Sequence, residues 1–213
     1  MDDRFTRSRW LFGDKFEKLQ NAKVLICGCG GVGGACIDAL YRSGVVNLTL
    51  IDCDSFDITN QNRQIGSQFV GELKTEVFAR LYPGVQTLNL RLTKEIIDEF
   101  DFDKFDMVID CIDDVPAKIA LAIKCHKKLI SSMGGAKRID PTQIKIVSIW
   151  KTTNDKFAKK IRYELKKSGF NKDYKVVFST EEPRCKELGS FIGVTASFGL
   201  SLASFAIKKM LND

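Results

Sequence analysis

Residues 24–33, VLICGCGGVG, carry a β-branched apolar run into three spaced glycines, Gly28, Gly30 and Gly33, and then into a helical stretch. Glycines at this spacing make a phosphate-binding turn: the first permits the tight turn, the second lets backbone N–H groups approach a phosphate, and the third lets the helix pack closely on the strand. Twenty-four residues after Gly28 the run LTLIDCD reaches Asp52, spaced to accept hydrogen bonds from a ribose. Asn60, Arg63 and Lys74 follow it. Two cations and an amide delivered to the phosphate end of a nucleotide would stabilise charge on a triphosphate being cleaved. A dehydrogenase, which must hold a nicotinamide, has no use for them. Asp113 closes the run MVIDCID. An acid facing a triphosphate is costly unless it holds a metal, and Mg²⁺ bridging phosphates is the natural candidate. Each feature also has a plainer reading: the glycines as a structural turn, Asp113 as a helix N-cap, Arg63 and Lys74 as surface charges.

Elements of alternating period must position these residues. The spacing predicts strands over 24–27, 47–52, 85–90, 106–112 and 128–132, and helices over 34–42, 72–82, 94–100 and 114–127. Such alternation implies an α/β fold with a Rossmann-like, doubly wound, mostly parallel sheet. Residues 143–150, QIKIVSIW, alternate and are expected to begin an antiparallel extension. A basic helix, a strand-like VVFS at 176–179 and a small basic C-terminal lobe complete the expectation. Before the glycine turn, residues 4–20 read as a short helical approach carrying Arg4, Arg7 and Arg9.

A chain of 213 residues, 44% hydrophobic, can bury a full core. No basic n-region followed by an apolar h-region opens it, so the expected compartment is the cytoplasm. Its seven cysteines, at 27, 29, 36, 53, 111, 125 and 185, are then expected as reduced thiols. No C-x-x-C pair occurs among them, which argues against structural zinc. The net charge of +6 favours an anionic partner. Its richest cluster lies between Lys151 and Lys175. On a helix, Phe157, Ile161 and Leu165 share an apolar stripe, while Lys156, Lys160, Tyr163 and Lys167 share the opposite side. That side is either a solvated face or one suited to RNA phosphates and an unstacked base. The uncharged run 191–207 has 17 residues, whereas a bilayer span needs about 20. Studded with Ser, Thr and Gly, it reads as a buried helix rather than a membrane contact.

In order and spacing, GCGGVGG, Asp52 with Asp54, TNQNRQ, Lys74 and DCIDD resemble the nucleotide site of the ThiF/MoeB/ubiquitin-activating superfamily, enzymes that use ATP to activate carboxylates. The resemblance covers residues 4–135. It implies that Gly30 and Gly31 contact ATP, Asp52 the ribose, Asn60, Arg63 and Lys74 the phosphates, and Asp113 a Mg²⁺ ion. RFTR looks like the arginine arm of that superfamily, in which Arg7 would reach the ATP of the neighbouring subunit of a homodimer. A narrower likeness lies in 134–167. There GGAKRIDPT precedes Lys151, Thr152, Asp155, Ala158, Ile161, Arg162 and Leu165 at the spacing of the tRNA threonylcarbamoyladenosine dehydratase branch. VVFSTEEP at 176–183 and GSFIGVTASFG at 189–199 resemble the same branch. Two departures stand out: the GGAG of that pattern is GGAK here, and the loop between Pro183 and Gly189 is short. The resemblance implies one ThiF-like ATP-binding unit over 1–213, with an arm at 1–20, a nucleotide-binding core at 21–135 and a substrate and dimer extension at 136–213.

The reaction implied is ATP-dependent cyclisation of a threonylcarbamoyl side chain on tRNA with loss of water. Nucleophile and electrophile share one side chain, so closure gains from proximity and needs no protein nucleophile. The implied partners are tRNA and a second copy of the chain, with no DNA. Cys185, near the substrate loop, leaves room for a redox or sulfur-linked role through a cysteine desulfurase or sulfur-acceptor relay. Two other readings compete. One is an adenylyltransferase activating the C-terminus of a ubiquitin-like sulfur carrier, although such activators usually carry two C-x-x-C pairs; the other is a nucleotide-binding scaffold without turnover.

Overall fold

The computed structural model describes residues 2–212; Met1 and Asp213, at the ends of the expected arm and extension, lie outside them. Its strands are β1 (Lys23–Cys27), β2 (Asn47–Asp52), β3 (Gln86–Asn89), β4 (Met107–Asp110), β5 (Leu129–Ser132), β6 (Ile144–Ser148) and β7 (Lys175–Ser179). They form one sheet in the order β3-β2-β1-β4-β5-β7-β6. All neighbours pair in parallel except β6, which runs antiparallel to β7. The doubly wound sheet and its antiparallel extension are therefore as the alternation predicts. The helices are α1 (Thr6–Phe12), α2 (Phe16–Asn21), α3 (Gly31–Arg42), α4 (Lys74–Leu81), α5 (Lys94–Glu99), α6 (Val115–Cys125), α7 (Lys156–Lys167) and α8 (Ile192–Asn212).

Successive strand residues feed opposite layers. Val24 and Ile26 pack with α2, α3, α4 and α8, whereas Leu25 and Cys27 pack with α5, α6 and α7. Both faces are covered, as a parallel sheet requires. Its edges are of different make: β3 is four residues long and presents Gln86, Thr87 and Asn89, while β6 presents Lys145 between two isoleucines. All seven cysteines are unpaired thiols. Burial pushes the Cys27, Cys29 and Cys36 thiols well above their ordinary range, which makes them inert core residues.

Three of the differences from the expected boundaries have a clear local reason. The approach over 4–20 breaks at Gly13, whose φ of 54° separates α1 from α2. The first long helix begins at Gly31, because the glycines of the turn are themselves its first residues. The strand expected over 106–112 stops at Asp110, whose carboxylate accepts from the Ile112 N–H (3.2 Å) and turns the chain out of the sheet.

The uncharged run becomes α8, 21 residues long and apolar enough by length and composition to cross a membrane. Here it is a core helix. Val194, Phe198, Leu202 and Ala206 are fully buried, and the helix packs along α3. Gly199 brings the two backbones together: a Cβ there would stand 2.3 Å from the Val32 carbonyl oxygen and 2.8 Å from the Cys36 nitrogen. Gly199→Ala is therefore expected to destabilise by roughly 1–3 kcal/mol, the usual cost of overpacking, read as a lowered midpoint in thermal unfolding.

Candidate nucleotide site

Strands β1, β2 and β4 end together, since Cys27 pairs with Ile51 on one side and Asp110 on the other. The chain leaves β1 toward both neighbours, and a crevice at such a switch point is where ligands bind in open α/β sheets. The glycine turn fills it. Gly28 adopts φ 96°, and a Cβ there would meet the Cys111 carbonyl at 2.9 Å. Gly33 lies so close beneath the turn that a Cβ would stand 1.8 Å from the Gly28 oxygen. Gly30 is different. Its φ is −76°, and a Cβ there would find nothing nearer than the Gln64 amide at 3.9 Å. Neither conformation nor packing within the chain demands glycine at position 30, which leaves open space beside the turn. Gly30 is also the N-cap of α3 and offers no capping side chain, so the first N–H groups of that helix face the same opening.

The predicted polar residues gather around this opening. Asp52 accepts from the Cys29 N–H (2.6 Å) and the Asp54 N–H (2.8 Å), which docks its carboxylate on the turn with lone pairs left for a hydroxyl. Lys74 begins α4 buried, with its ammonium 3.1 Å from Asp54. It lies close enough to the turn for its charge to offset part of the upward push that burial, and then Asp52, exert on the Cys29 thiol. Arg63 is half-buried. Its guanidinium donates to Thr59 O (3.0 Å) and Asn62 Oδ1 (2.9 Å), and its stem packs beside Gly31, where a Cβ would meet Arg63 Cγ at 3.1 Å. Asn60 has a structural duty as well: its Oδ1 accepts from the Asp57 N–H (3.2 Å), closing a capping box around the turn at 58–60. The result is a row of helix N–H groups flanked by two cations and an acid, suited to a nucleotide polyphosphate with its ribose at Asp52.

Asp113 stands exposed in the loop after β4. Capping of α6 falls to its neighbour Asp114, which accepts from the Ala117 N–H (2.9 Å), so the N-cap reading of Asp113 does not hold. Asp52, Cys53 and Asp54 also converge, with donor atoms within 4.8 Å of one another. Their chemistry does not suit a hard cation as a set, because Asp52 is held by backbone N–H groups, Asp54 by Lys74, and Cys53 offers sulfur. Asp113 by contrast is exposed and makes no side-chain hydrogen bond or ion pair among the described residues, which leaves its carboxylate uncommitted.

The arm and the basic helix lie outside this crevice. Arg4 stacks on Phe5 and Tyr41, and Arg9 pairs with Asp3 at 2.5 Å. Arg7 is exposed and joins no ion pair among the described residues. Nearby Trp10 and Leu11 are also exposed. On α7, Ala158, Ile161 and Leu165 are buried and Phe157 half-buried, while Lys156, Lys160, Tyr163 and Lys167 are exposed together as the pattern predicts. Cys185 is exposed, with its thiol 3.3 Å from Glu187 O.

Sequence reasoning misses a buried network behind the site. Lys118 of α6 donates to Asp110 Oδ2 (2.9 Å), Ser131 Oγ (3.0 Å) and Ser132 O (2.7 Å), and Ser131 Oγ donates to the same Asp110 oxygen (2.6 Å). Both charged side chains are 1% exposed. The network joins the loop that carries Asp113 to the end of β5. Beyond β5, buried Arg138 braces residues 134–137 by donating to Gly134 O and, at 2.9 Å, to Glu181 O. Burial pushes the Glu181 carboxyl up, but the Asp140 N–H, Arg184 and the Ile139 N–H together hold it below its ordinary range. No local spacing signals these pairs, because the partners come from separate elements.

Fold and site define a nucleotide-binding α/β chain. The model of the ThiF family matches residues 5–213, and the chain belongs to that family. It is 38% identical over 192 residues to the tRNA threonylcarbamoyladenosine dehydratase of Bacillus subtilis, an alignment spanning 84% of this chain and 76% of the relative. The Escherichia coli dehydratase of the same name is 33% identical, with 98% of this chain and 93% of the relative covered. The solved structure of the Escherichia coli enzyme, TcdA, in complex with ATP superposes with a TM-score of 0.93 at 34% identity, covering 98% of this chain and 94% of that one.

A buried ion pair predicts an asymmetry in stability. Lys118→Met leaves Asp110 charged in the core and is expected to cost about 3–5 kcal/mol in urea unfolding, whereas Lys118→Met with Asp110→Leu should recover much of that loss.

Proposed function

We propose that this chain is an ATP-dependent tRNA threonylcarbamoyladenosine dehydratase, which cyclises the modified adenosine with net loss of one water. The observation that carries the reading is the open space at Gly30, with Arg63 packed beside Gly31 and the buried Lys74 close to Cys29 of the same turn. It is supported by full-length likeness to dehydratases of that name.

The chemistry follows from what each group can do. A carboxylate is a poor electrophile because its oxygen is a bad leaving group. Its oxygen attacks a phosphorus of ATP, one P–O–P link of the polyphosphate breaks, and the remainder leaves as pyrophosphate or ADP, giving a mixed anhydride. The carbamoyl group of the same side chain then closes on the acyl carbon, the acyl C–O bond to the phosphorus-bearing group breaks, and that group departs with the oxygen. Asp52 holds the ribose; the N–H groups at Gly30 and Gly31, with Arg63 and Lys74, hold the phosphates and neutralise developing charge. Asn60 keeps the loop carrying Arg63 in register, and its amide N–H groups are left to donate to a phosphate. Asp113 would hold Mg²⁺, which when bound adds further neutralisation of the phosphates. No cysteine is needed, and Cys185 has no part in this chemistry.

Two partners complete the reading. The exposed face of Lys156, Lys160, Tyr163 and Lys167 supplies cations and one aromatic ring for RNA. Arg7, without an ion-pair partner among the described residues and on an arm with exposed Trp10 and Leu11, is suited to reach the phosphates of a second copy in a homodimer. Reduced thiols and a tRNA substrate agree with a cytoplasmic setting. A sulfur-carrier adenylyltransferase fits less well, since the chain has no C-x-x-C pair and its likeness to the dehydratases extends through the basic helix.

The deciding measurement is mass analysis of tRNA nucleosides after incubation with the protein, ATP and Mg²⁺. Loss of about 18 mass units, one water, from the threonylcarbamoyl adenosine is expected. Lys74→Ala and Arg7→Ala should each abolish it, and their mixture should regain conversion if Arg7 acts across a dimer. Conversion by Lys74→Ala alone would refute the assigned phosphate site. Replacing Lys156, Lys160 and Lys167 by Glu should weaken tRNA binding by roughly tenfold or more and flatten its salt dependence. ATP affinity should not change, and parallel loss of both would count against an RNA face.

A further inference from the structure

The loop after β5 holds a lysine where the dehydratase pattern has glycine, and its backbone has the conformation that glycine favours. Lys137 adopts φ 69°. Among the described residues only one other non-glycine, Asn154, has a positive φ, and asparagine tolerates that region. A strained side-chain-bearing residue persists where its surroundings over-determine it, and such residues gather at functional positions.

Those surroundings are a single segment, 183–190. The Lys137 N–H donates to Gly189 O (2.8 Å), its carbonyl accepts from the Arg184 N–H (2.9 Å), and its ammonium donates to Lys186 O. Glycine would keep the two backbone bonds without strain. Only the ammonium bond requires lysine. The other end of the segment is tied to the phosphate side of the crevice: the Asn62 amide donates to Ser190 O (3.0 Å) and Ser190 Oγ (3.2 Å), while Asn62 Oδ1 accepts from the Arg63 guanidinium (2.9 Å). Residues 182–189, although exposed, are thus stretched along the carboxyl edge of the sheet from Lys137 to the neighbour of Arg63.

We infer that Lys137 is a positioning residue for the proposed dehydration, on which reading the inference rests. Its ammonium pins segment 183–190 as a fixed wall at the mouth of the phosphate crevice, and the modified nucleoside is held against that wall with its carboxylate toward Arg63. The strain at Lys137 is kept because the third bond fixes the wall. A loose wall would let the carboxylate wander from its line of attack, and misplacement on the scale of 1 Å costs about a hundredfold in rate.

The test compares the parent protein with Lys137→Gly, which relieves the backbone and removes the ammonium, and with Lys137→Arg, which keeps a cation. Three quantities are read: the unfolding midpoint, the rate of trypsin cleavage after Arg184 and Lys186 mapped by mass, and the kinetic constants for threonylcarbamoylated tRNA and for ATP. Lys137→Gly is expected to unfold no earlier than the parent, to be cut severalfold faster within the segment, and to lose roughly tenfold or more in kcat/KM for the RNA. Its KM for ATP should stay near the parental value, and Lys137→Arg should recover most of the RNA turnover. Parental cleavage and parental turnover in Lys137→Gly would overturn the inference. So would earlier unfolding with equal loss toward RNA and ATP, which is the signature of a role in folding alone. If the parent protein itself leaves the modified tRNA unchanged, the dehydratase reading fails, and the cleavage comparison still decides whether Lys137 pins the segment.

Discussion

Helix α3 is held in its first turns by two close approaches that are mainly backbone on backbone. Gly33 lies against the Gly28 carbonyl from within the turn, and Gly199 of α8 lies against the Val32 carbonyl from outside. Backbone-to-backbone seating of this kind leaves little that can repack. It therefore fixes where the N–H groups at Gly30 and Gly31 sit relative to Asp52, which hangs from the same turn through the Cys29 N–H. Arg63, whose stem packs beside Gly31, sits against the same helix start.

Two lysine–aspartate pairs flank the site, and their burial separates structure from function. Lys118 and Asp110 are both 1% exposed, so neither can lose its partner without leaving a bare charge in the core. Lys74 is 7% exposed at the side chain while Asp54 is 60% exposed. Asp54 can yield its place to an incoming phosphate and be solvated at once, and the ammonium then trades one anion for another. The first pair is built to stay closed and the second to open. The closed pair holds the loop of Asp113 and the end of β5 in fixed relation, while the open pair leaves an ammonium that can exchange one anion for another.

The glycine turn, Asp52, Arg63 and Lys74 were readable because their spacing belongs to one strand–helix–strand unit and its following loop, where sequence distance translates into space. Asp113 and Asp114 show the limit of that translation. Either adjacent acid could cap α6, and only the geometry of the Ala117 N–H assigns the cap to the second. Lys118 was hidden because a lysine in an apolar helix usually faces solvent, and its partners Asp110 and Ser131 lie on two other elements. The φ of Lys137 was equally hidden, although its place in a glycine-rich pattern marked the position. The break at Gly13 was missed because an isolated glycine within a helical pattern is often tolerated.

The edges of the sheet have a consequence for the chain in concentrated solution. An open parallel sheet ends in rows of unpaired backbone groups, which can recruit strands from other molecules. Here one end is a strand of only four residues with mostly polar side chains, and the other is a five-residue antiparallel strand that exposes Lys145 beside Ile146. Neither offers a long, flat, apolar ladder, so a second copy meets little that would template fibrillar growth.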